Sequence, residues 1–271
     1  MGGDGFQMSR FFVSRDSVDL DNHRITITGE DVKHIRNVLR CMPGDALELS
    51  DGSGMDYDVA IESIEKDSIL TKIVNERPNK TEPPVNITLF QGIPKADKME
   101  YIIQKCVELG VVKIVPVMTA RTVVRVENAR DAASKTARWK RIALEAAKQC
   151  DRGAVPQVEE PVRLEMALKM AESCDLRLLP YEEETEVNLR KHLQDYKESN
   201  TGESGRISNI ALFIGPEGGF TTDEVQKSVK SGFKSVTLGP RILRTETAGV
   251  AVIAIMMYEL GDMAGNSEKN N

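Results

Sequence analysis

From residue 85 onward, the chain alternates between short apolar segments and longer amphipathic ones. The segments NITLFQGI, KIVPVMT, LRLLP and ISNIALFIG are typical of buried strands. The segments between them, such as KMEYIIQKCVELGV and TTDEVQKSVKSG, have the 3.6-residue period of helices. Strands that alternate with helices form a mostly parallel sheet with helices on its faces. This pattern predicts an α/β fold for the larger part of the chain.

The N-terminal part has a different pattern. FFVS, RITIT, DALELSD, DYDVAIESIE and SILTKIV are predicted strands, separated by Gly and Asp turns. One amphipathic helix is predicted over 29–40, and the whole indicates a small β-barrel carrying one helix. The proline-rich stretch 76–86, ERPNKTEPPVN, is the predicted linker. We therefore expect one domain over 1–78 and a second over 85–265.

Charge gives no general signal for nucleic-acid binding. The chain of 271 residues has a formal net charge of −6, and residues 1–84 contain 10 Lys+Arg against 16 Asp+Glu. A diffuse nucleic-acid surface on the N-terminal domain is therefore disfavoured. A focused basic patch formed by Arg10, Lys33, His34, Arg36 and Arg40 is a candidate, and a solvated helix face is the alternative.

Cysteine usage and apolar runs exclude several classes of protein. The four cysteines are far apart, with no CxxC pair and no histidine cluster, which favours reduced thiols and no metal site. The first residues have no apolar core typical of a signal peptide. The longest apolar run, AGVAVIAIMMYEL, has about 13 residues, whereas a membrane span needs roughly 20. We expect a cytoplasmic protein without a membrane partner.

The segment LFIGPEGGFTTDEV, residues 212–225, has the pattern of a strand, a glycine turn and a helix start. Gly215, Gly218 and Gly219 permit a close backbone approach that a Cβ would block. Glu217 lies within the turn and no lysine follows, so the phosphate loop GxxxxGK[ST] is disfavoured, and the spacing is not GxGxxG. Backbone groups beside a carboxylate suit a neutral or cationic ligand. A tight turn without a ligand would give the same pattern.

The residues after this turn specify the start of the helix. Thr221 and Glu224 have the spacing of a capping box, Thr-x-x-Glu. Phe220 and Val225 are placed as the matching hydrophobic staple. We therefore predict that the helix begins directly after Thr221.

A second polar connection, LGPRILRTETA at 238–248, precedes the apolar C-terminal helix. Arg241, Arg244 and Glu246 lie close together within it. Such a cluster could bind a phosphate or stabilise developing charge. Helix capping combined with an Arg–Glu pair is the alternative interpretation.

The GPEGG and LGPRILRTETA motifs together resemble the SPOUT methyltransferases, whose C-terminal sheet is knotted. Over most of its length the chain more closely resembles the ribosomal RNA small-subunit methyltransferase E family. The matching motifs are SRFFV from Ser9, HIRNVLR from His34, IPKADKMEYIIQKCVELGV from Ile93, RW at Arg138, and EAAKQCDRGAVP from Glu145. Ala96 stands where that family leads us to expect glycine, and Cys150 where we expect serine.

This resemblance implies an α/β fold with a SPOUT-type knotted parallel sheet flanked by helices, and a small N-terminal PUA-like β-barrel. It also implies a homodimer that uses S-adenosylmethionine to methylate N3 of one uridine in 16S rRNA of the small ribosomal subunit. The cofactor-binding positions carried over are Leu179, Pro180, Ile214, Gly215, Pro216, Glu217, Gly218, Gly219, Leu238, Gly239, Arg241, Ile242 and Leu243.

Roles in catalysis and RNA binding are assigned to further residues. Arg244 is the candidate for stabilising or orienting the base, and Glu246 is a candidate proton acceptor or else the partner of an arginine. The RNA-binding candidates, expected mainly to contact phosphates, are Arg10, His34, Arg36 and Arg40 on the barrel side and Lys95, Arg138, Arg141 and Arg152 on the catalytic side.

Other functions stay open at this point. A SPOUT methyltransferase could act on tRNA or on a ribose 2′-OH, and the product nucleoside would distinguish these targets. A ribosome-assembly factor could bind RNA without catalysis, and failure to bind S-adenosylmethionine would favour that function. A nucleotide hydrolase is disfavoured because the phosphate-loop lysine is missing.

Overall fold

The computed structural model describes residues 10–124, 128–199 and 208–264, so Ser9 of the SRFFV motif lies outside the described residues. The chain divides into two compact units. Residues up to Glu82, together with Ala147–Val155, form the first unit. Pro83–Ala146 and the residues from Pro156 onward form the second.

The first unit is built on a six-stranded sheet in the order β1-β4-β5-β6-β3-β2. β1 pairs with β4 in parallel and the other neighbours are antiparallel. Its strands are β1 Arg10–Phe12, β2 Val18–Asp19, β3 Arg24–Thr28, β4 Ala46–Ser50, β5 Met55–Ile64 and β6 Ser68–Pro78. A short 3-10 turn, Arg15–Ser17, lies between β1 and β2. β6 includes the first three residues of the predicted linker, because Glu76, Arg77 and Pro78 pair with β5.

The helix predicted over 29–40 is shorter and less regular than expected. α1 covers only Glu30–Lys33, and a π-helical turn, His34–Val38, follows it. Val32 and Ile35 are buried as the pattern predicted, but Val38 is 65% exposed and Leu39 36%. The prediction of one continuous apolar face was wrong here, because the wider π turn changes the angular position of the later residues.

Residues 147–155 belong to the first unit, although the sequence-based boundaries placed them in the second domain. Polar contacts with the first unit account for this. Glu82 accepts hydrogen bonds from Arg152 (2.6 Å) and from the backbone N–H groups of Gly153 (2.9 Å) and Ala154 (3.1 Å). Lys148 forms an ion pair with Asp31 at 3.0 Å. Local sequence patterns could not predict these contacts, because Glu82 and Asp31 are far in the sequence from the residues that they contact.

The second unit has an all-parallel sheet in the order β10-β8-β7-β12-β11-β13, with β9 beside β8. Its strands are β7 Val85–Gly92, β8 Lys113–Met118, β9 Gln157–Val158, β10 Val162–Arg163, β11 Leu176–Pro180, β12 Ser208–Ile214 and β13 Lys234–Val236. Its helices are α2 Lys98–Glu108, α3 Ala129–Gln149, α4 Leu164–Met170, α5 Leu189–Ser199, α6 Thr222–Lys230 and α7 Thr245–Glu259. The prediction of alternating strands and helices is confirmed, and β9, β10 and α4 are additions to it.

The core of the second unit contains side chains from its central strands. Phe213 of β12 is fully buried, with its ring centroid 4.8 Å from Phe220 and 5.9 Å from Phe233. β7, β12 and β11 are neighbours and parallel, so their carboxyl ends open at one edge of the sheet. α7 packs against β7, β12 and α2. Within the described residues, no helix combines the length and the apolar character required to span a bilayer.

Ala96 adopts a left-handed backbone conformation, with φ of 52°, in an exposed position before α2. A Cβ in this region costs about 1–2 kcal/mol, which explains why glycine was expected there. We predict that Ala96→Gly raises the free energy of unfolding by about 0.5–1 kcal/mol, after the added freedom of the unfolded chain is offset. Urea unfolding measures this change.

Ala137→Gly is the matched control, because Ala137 is exposed within the regular helix α3. The same substitution should there lower the free energy of unfolding by about 1 kcal/mol. Equal destabilisation by both variants would contradict the assignment of strain to Ala96.

Candidate functional site

A two-lobed cavity lies at the carboxyl ends of β11 and β12. The first lobe has a volume of about 450 Å³ and the second about 470 Å³. Residues 180–182, 184–185 and 237–243 supply most of the first lobe. The glycine turn after β12 and the start of α7 supply most of the second, together with Lys98. Lobes of this size are typical of small-molecule sites.

The cavity brings together nearly all the predicted cofactor-binding residues. Leu238, Gly239 and Arg241 line the first lobe, and Ile214, Gly215, Pro216, Glu217, Gly218 and Gly219 line the second. Pro180, Ile242 and Leu243 line both lobes. Leu179 does not line either lobe, because its side chain is fully buried in the core of the second unit.

The predicted capping box and staple of α6 are confirmed. The Thr221 hydroxyl accepts from Glu224 N–H at 3.3 Å, and Glu224 Oε2 accepts from Thr221 N–H at 2.9 Å. Glu224 Oε1 also accepts from Ala120 N–H at 2.7 Å, so this carboxylate ties α6 to the end of β8. Phe220 and Val225 are both buried in the core. The glycine turn is therefore fixed on its C-terminal side.

Thr245 fixes the other wall of the second lobe. Its hydroxyl donates to Gly215 C=O at 2.6 Å and accepts from Gln91 Nε2 at 2.9 Å. Gln91 Nε2 also donates to Gly92 C=O at 2.9 Å. Gln91 is completely buried and Thr245 is 5% exposed. These hydrogen bonds join the ends of β7 and β12 to the first turn of α7.

Lys98 lies between two acidic side chains, a position that the sequence analysis missed. Its Nζ is 3.0 Å from Glu217 Oε1 and 3.2 Å from Glu246 Oε2. The hydrogen bond with Glu217, and then the contact with Glu246, raise the pKa of Lys98 above its ordinary value, so the side chain is a cation at neutral pH. Its position in the motif IPKADKMEYIIQKCVELGV, at the first residue of α2, was the only signal available in the sequence.

Glu217 is held within the wall of the second lobe. Lys95 N–H donates to its Oε1 at 3.1 Å, in addition to the contact with Lys98. Burial alone would raise the pKa of Glu217, but the hydrogen bonds from its own backbone N–H, Lys98 and Lys95 outweigh that effect and lower the pKa below its ordinary value. Glu217 is therefore a carboxylate at neutral pH, and its charge is compensated locally.

Arg244 and Glu246 occupy different environments at the start of α7. The Arg244 side chain is 81% exposed and borders the second lobe, whereas the Glu246 side chain is 18% exposed. Their closest approach, between Arg244 Nη1 and Glu246 Oε1, is 4.0 Å, so any pairing between them is weak. Among the described residues, Glu246 Oε2 accepts no well-aligned hydrogen bond, although Lys98 is near.

Tyr181 and Glu182 also line the cavity and were not among the predicted cofactor-binding residues. Glu182 lines both lobes, and Tyr181 lines the first. The hydrogen bond between Tyr181 and Glu183 raises the pKa of Tyr181 to about 12, so the phenol is neutral at physiological pH and is not a base there. Both residues directly follow LRLLP, a strand end that the topology of a parallel sheet marks as a ligand site.

Arg10 and Arg152 do not fit the predicted role in RNA binding. The Arg10 side chain is 5% exposed and is paired with Glu48 (2.8 Å) and Asp56 (2.5 Å). The Arg152 side chain is 4% exposed and is paired with Glu82. Both guanidinium groups are used inside the first unit, so the assignment of phosphate contacts to them was wrong.

The other predicted RNA-binding residues lie at the surface of one unit or the other. In the first unit, His34 and Arg40 are exposed, and Arg36 is half-buried with its guanidinium on the Glu65 and Lys66 carbonyls. In the second unit, Lys95, Arg138 and Arg141 are exposed, and Arg138 pairs with Glu100 at 2.5 Å. Among the residues that the structure describes, no group of three or more His, Cys, Asp or Glu side chains could hold a metal ion.

We predict that Thr245→Val lowers the free energy of unfolding by about 1–3 kcal/mol. The change removes the donor to Gly215, which is partly buried, and the acceptor for Gln91, which is fully buried. Thr247→Val is the matched control in the same helical turn, because Thr247 is exposed. Urea unfolding of both variants tests this, and similar losses in the two would contradict the importance of the buried hydrogen bonds.

Comparison with known proteins agrees with this architecture. The protein-family model of the RNA methyltransferase domain matches residues 81–257. The protein-family model of the RNA methyltransferase PUA domain matches residues 27–74. Ribosomal RNA small subunit methyltransferase E of Bacillus subtilis is 31% identical over 260 residues, which cover 96% of this chain and 100% of that protein. The Aquifex aeolicus protein of the same name is 34% identical over 205 residues, covering 75% and 82%.

Solved structures give the same result. A ribosomal RNA small subunit methyltransferase E from Neisseria gonorrhoeae bound to S-adenosyl methionine is 34% identical, with a TM-score of 0.79 and coverage of 94% of this chain and 99% of that one. A putative methyltransferase from Legionella pneumophila, in complex with its bound cofactor SAM, is 29% identical with a TM-score of 0.80, covering 95% and 100%.

These matches extend over both units and identify the class of fold. The second unit is the SPOUT-type knotted parallel sheet flanked by helices, and the first is the PUA-like domain. The chain belongs to the RNA methyltransferase family that includes the ribosomal RNA small subunit methyltransferase E proteins.

Proposed function

We propose that this protein uses S-adenosylmethionine to methylate N3 of one uridine in 16S rRNA of the small ribosomal subunit. The observation that carries the proposal is the two-lobed cavity, which unites three separate loops of the knotted sheet in a chain of the RNA methyltransferase family. The relatives named ribosomal RNA small subunit methyltransferase E support rRNA as the substrate class.

The residues of the cavity fit the cofactor. Backbone groups and apolar side chains of 237–243 form a wall suited to an adenosine in the first lobe. Gly219 has φ of 65°, a conformation that favours glycine, and a Cβ on it would lie 2.7 Å from Glu182 Oε1, so a larger residue would displace that carboxylate. The bound cofactor would supply an electrophilic methyl group on a sulfonium.

The chain's own residues supply positioning and charge. The second lobe, bordered by Lys98 and Arg244, is the proposed site of the target base. Uridine N3 becomes nucleophilic only when its proton leaves, and the exposed Arg244 guanidinium is the proposed group that stabilises the resulting anion. Because N3 lies on the pairing edge, the base must be unpaired or flipped into the lobe. Glu246 is the proposed proton acceptor.

RNA binding is proposed for basic side chains at the surface of each unit. Arg138 and Arg141 on α3 and Lys95 before α2 serve the catalytic unit. His34, Arg36 and Arg40 serve the PUA-like unit. Phosphate contacts of this kind make binding sensitive to salt.

We also propose a cytoplasmic homodimer. α2 and α7 pack together and leave large side chains exposed, with Tyr101 49% exposed, Ile255 42% and Tyr258 60%. An exposed apolar surface of this kind is typical of an interface. Light scattering in solution should give twice the chain mass, and a monomeric mass would contradict this part of the proposal.

We predict that Arg244→Ala lowers kcat for methyl transfer by about 10²-fold, because it removes one charge from the base site. Its free energy of unfolding should be unchanged, since the side chain is 81% exposed and forms no helix-capping hydrogen bond. Arg190→Ala, which removes an exposed arginine from α5, is the control. Steady-state methylation assays measure both variants, and equal rates for the two would contradict the role of Arg244.

The proposed function is tested with 30S subunits from a strain that lacks this enzyme. The subunits are incubated with the protein and S-adenosylmethionine, and the nucleosides of the digested rRNA are read by mass spectrometry. A gain of 3-methyluridine is the expected result. Transfer to tRNA or to a ribose 2′-OH would reassign the substrate, and cofactor binding without transfer to any RNA would favour an assembly factor.

A further inference from the structure

The two lobes of the cavity meet at a small set of residues, and only one of these is ionisable. The residues that line both lobes are Pro180, Glu182, Ile242, Leu243 and Ala248. When a group is transferred between two bound molecules, the reacting atoms must come together where the two sites meet. In the proposed function, the methyl group is transferred from the cofactor to the base at this boundary. The Glu182 carboxylate borders it.

The backbone of the glycine turn permits this position of Glu182. A Cβ built on Gly219 would lie 2.7 Å from Glu182 Oε1 and 3.4 Å from Oε2. The carboxylate thus lies directly against the Gly219 backbone, at the entrance to the second lobe. A larger residue at 219 would push the carboxylate away from the boundary.

Glu182 differs in its charge balance from the other acidic residues in the cavity, Glu217 and Glu184, and from Glu246 beside Lys98. Glu217 and Glu246 share the Lys98 ammonium, and Glu184 accepts from Ser235 at 2.7 Å and from two backbone N–H groups. Glu182 forms neither an ion pair nor a side-chain hydrogen bond within the described part of the chain. Its negative charge is therefore available to a ligand.

We propose that Glu182 is the counter-ion of the cofactor sulfonium and sets the preference for the methylated cofactor over its demethylated product. This inference rests on the proposed function. When the methyl group leaves, the electron pair of the sulfur–carbon bond stays on sulfur, which becomes an uncharged thioether. Attraction to Glu182 is then lost, and release of the product is favoured. The carboxylate stabilises the bound cation and not the transition state, so its effect lies in affinity.

The test compares four ligands by isothermal titration calorimetry. S-adenosylmethionine has the charged sulfur, and S-adenosylhomocysteine lacks that charge. Sinefungin has a cationic amine near the same point, and methylthioadenosine has neither the charged sulfur nor the amino-acid part. Each ligand is titrated into the unmodified protein, Glu182→Gln and Glu186→Gln. The last is the matched control, because Glu186 is an exposed carboxylate of the same loop and lines neither lobe.

We expect Glu182→Gln to weaken binding of S-adenosylmethionine and sinefungin by roughly three- to tenfold. Binding of S-adenosylhomocysteine and methylthioadenosine should stay the same, and Glu186→Gln should resemble the unmodified protein. The difference in affinity for S-adenosylmethionine between the unmodified protein and Glu182→Gln should shrink as salt is added. Salt screens this charge because Glu182 is exposed in the free chain.

Three results would overturn the inference. Equal weakening of S-adenosylmethionine and S-adenosylhomocysteine would place Glu182 at the ammonium of the amino-acid part. Unchanged affinities with kcat for rRNA methylation lowered by about 10²-fold or more would make Glu182 a proton acceptor instead. Unchanged affinities and unchanged kcat would leave it no role. If the unmodified protein binds no S-adenosylmethionine, the proposed function fails, and this inference fails with it.

Discussion

The buried hydrogen bonds of Thr245 hold the catalytic unit together at its site. The Thr245 hydroxyl accepts a hydrogen bond from the side-chain amide of Gln91, at the end of β7. It donates one to the carbonyl of Gly215, the first residue after β12. The first turn of α7 is thereby fixed against two central strands. Since Arg244 and Glu246 flank Thr245 in the chain, the same contacts position both side chains, of which Arg244 lines the second lobe.

The charges around the cavity follow from this arrangement. Lys98, from the start of α2, lies within 3.2 Å of carboxylates from two other segments, Glu217 and Glu246. Their charges are largely compensated, while Arg244 and Glu182 project their charges into the cavity. Arg244 is therefore an exposed cation at the proposed base position, and Glu182 is an anion where the two lobes meet. A cationic methyl donor suits the position of Glu182, and an anionic acceptor suits that of Arg244.

Local patterns predicted those parts of the structure that depend on local interactions. The capping box of Thr221 and Glu224 specified the start of α6, since both partners lie in one turn. Most strands and helices of the second unit followed from hydrophobic period. The irregular π turn after Lys33 did not, because hydrophobic spacing does not report a change of helical hydrogen-bonding. A knot is a property of the chain's path in space, and only the resemblance to a known family indicated it.

Partners distant in the sequence account for the remaining differences. Sequence patterns could not distinguish exposed from buried arginines among the predicted RNA-binding residues. Arg10 is paired with Glu48, 38 positions away, and Arg152 with Glu82, 70 positions away. Lys98 was missed for the same reason, since its two acidic partners follow it by more than a hundred residues. Glu182 was missed because its importance arises from the meeting of two lobes.

Amide hydrogen exchange with and without S-adenosylmethionine tests the central claim most directly, namely that three separate loops form one cofactor site. The account predicts slower exchange in 180–185, 214–219 and 237–244 when the cofactor is added, with no change in the strands β1 to β6 of the first unit. Protection confined to the first unit, or its absence from the three loops, would contradict it.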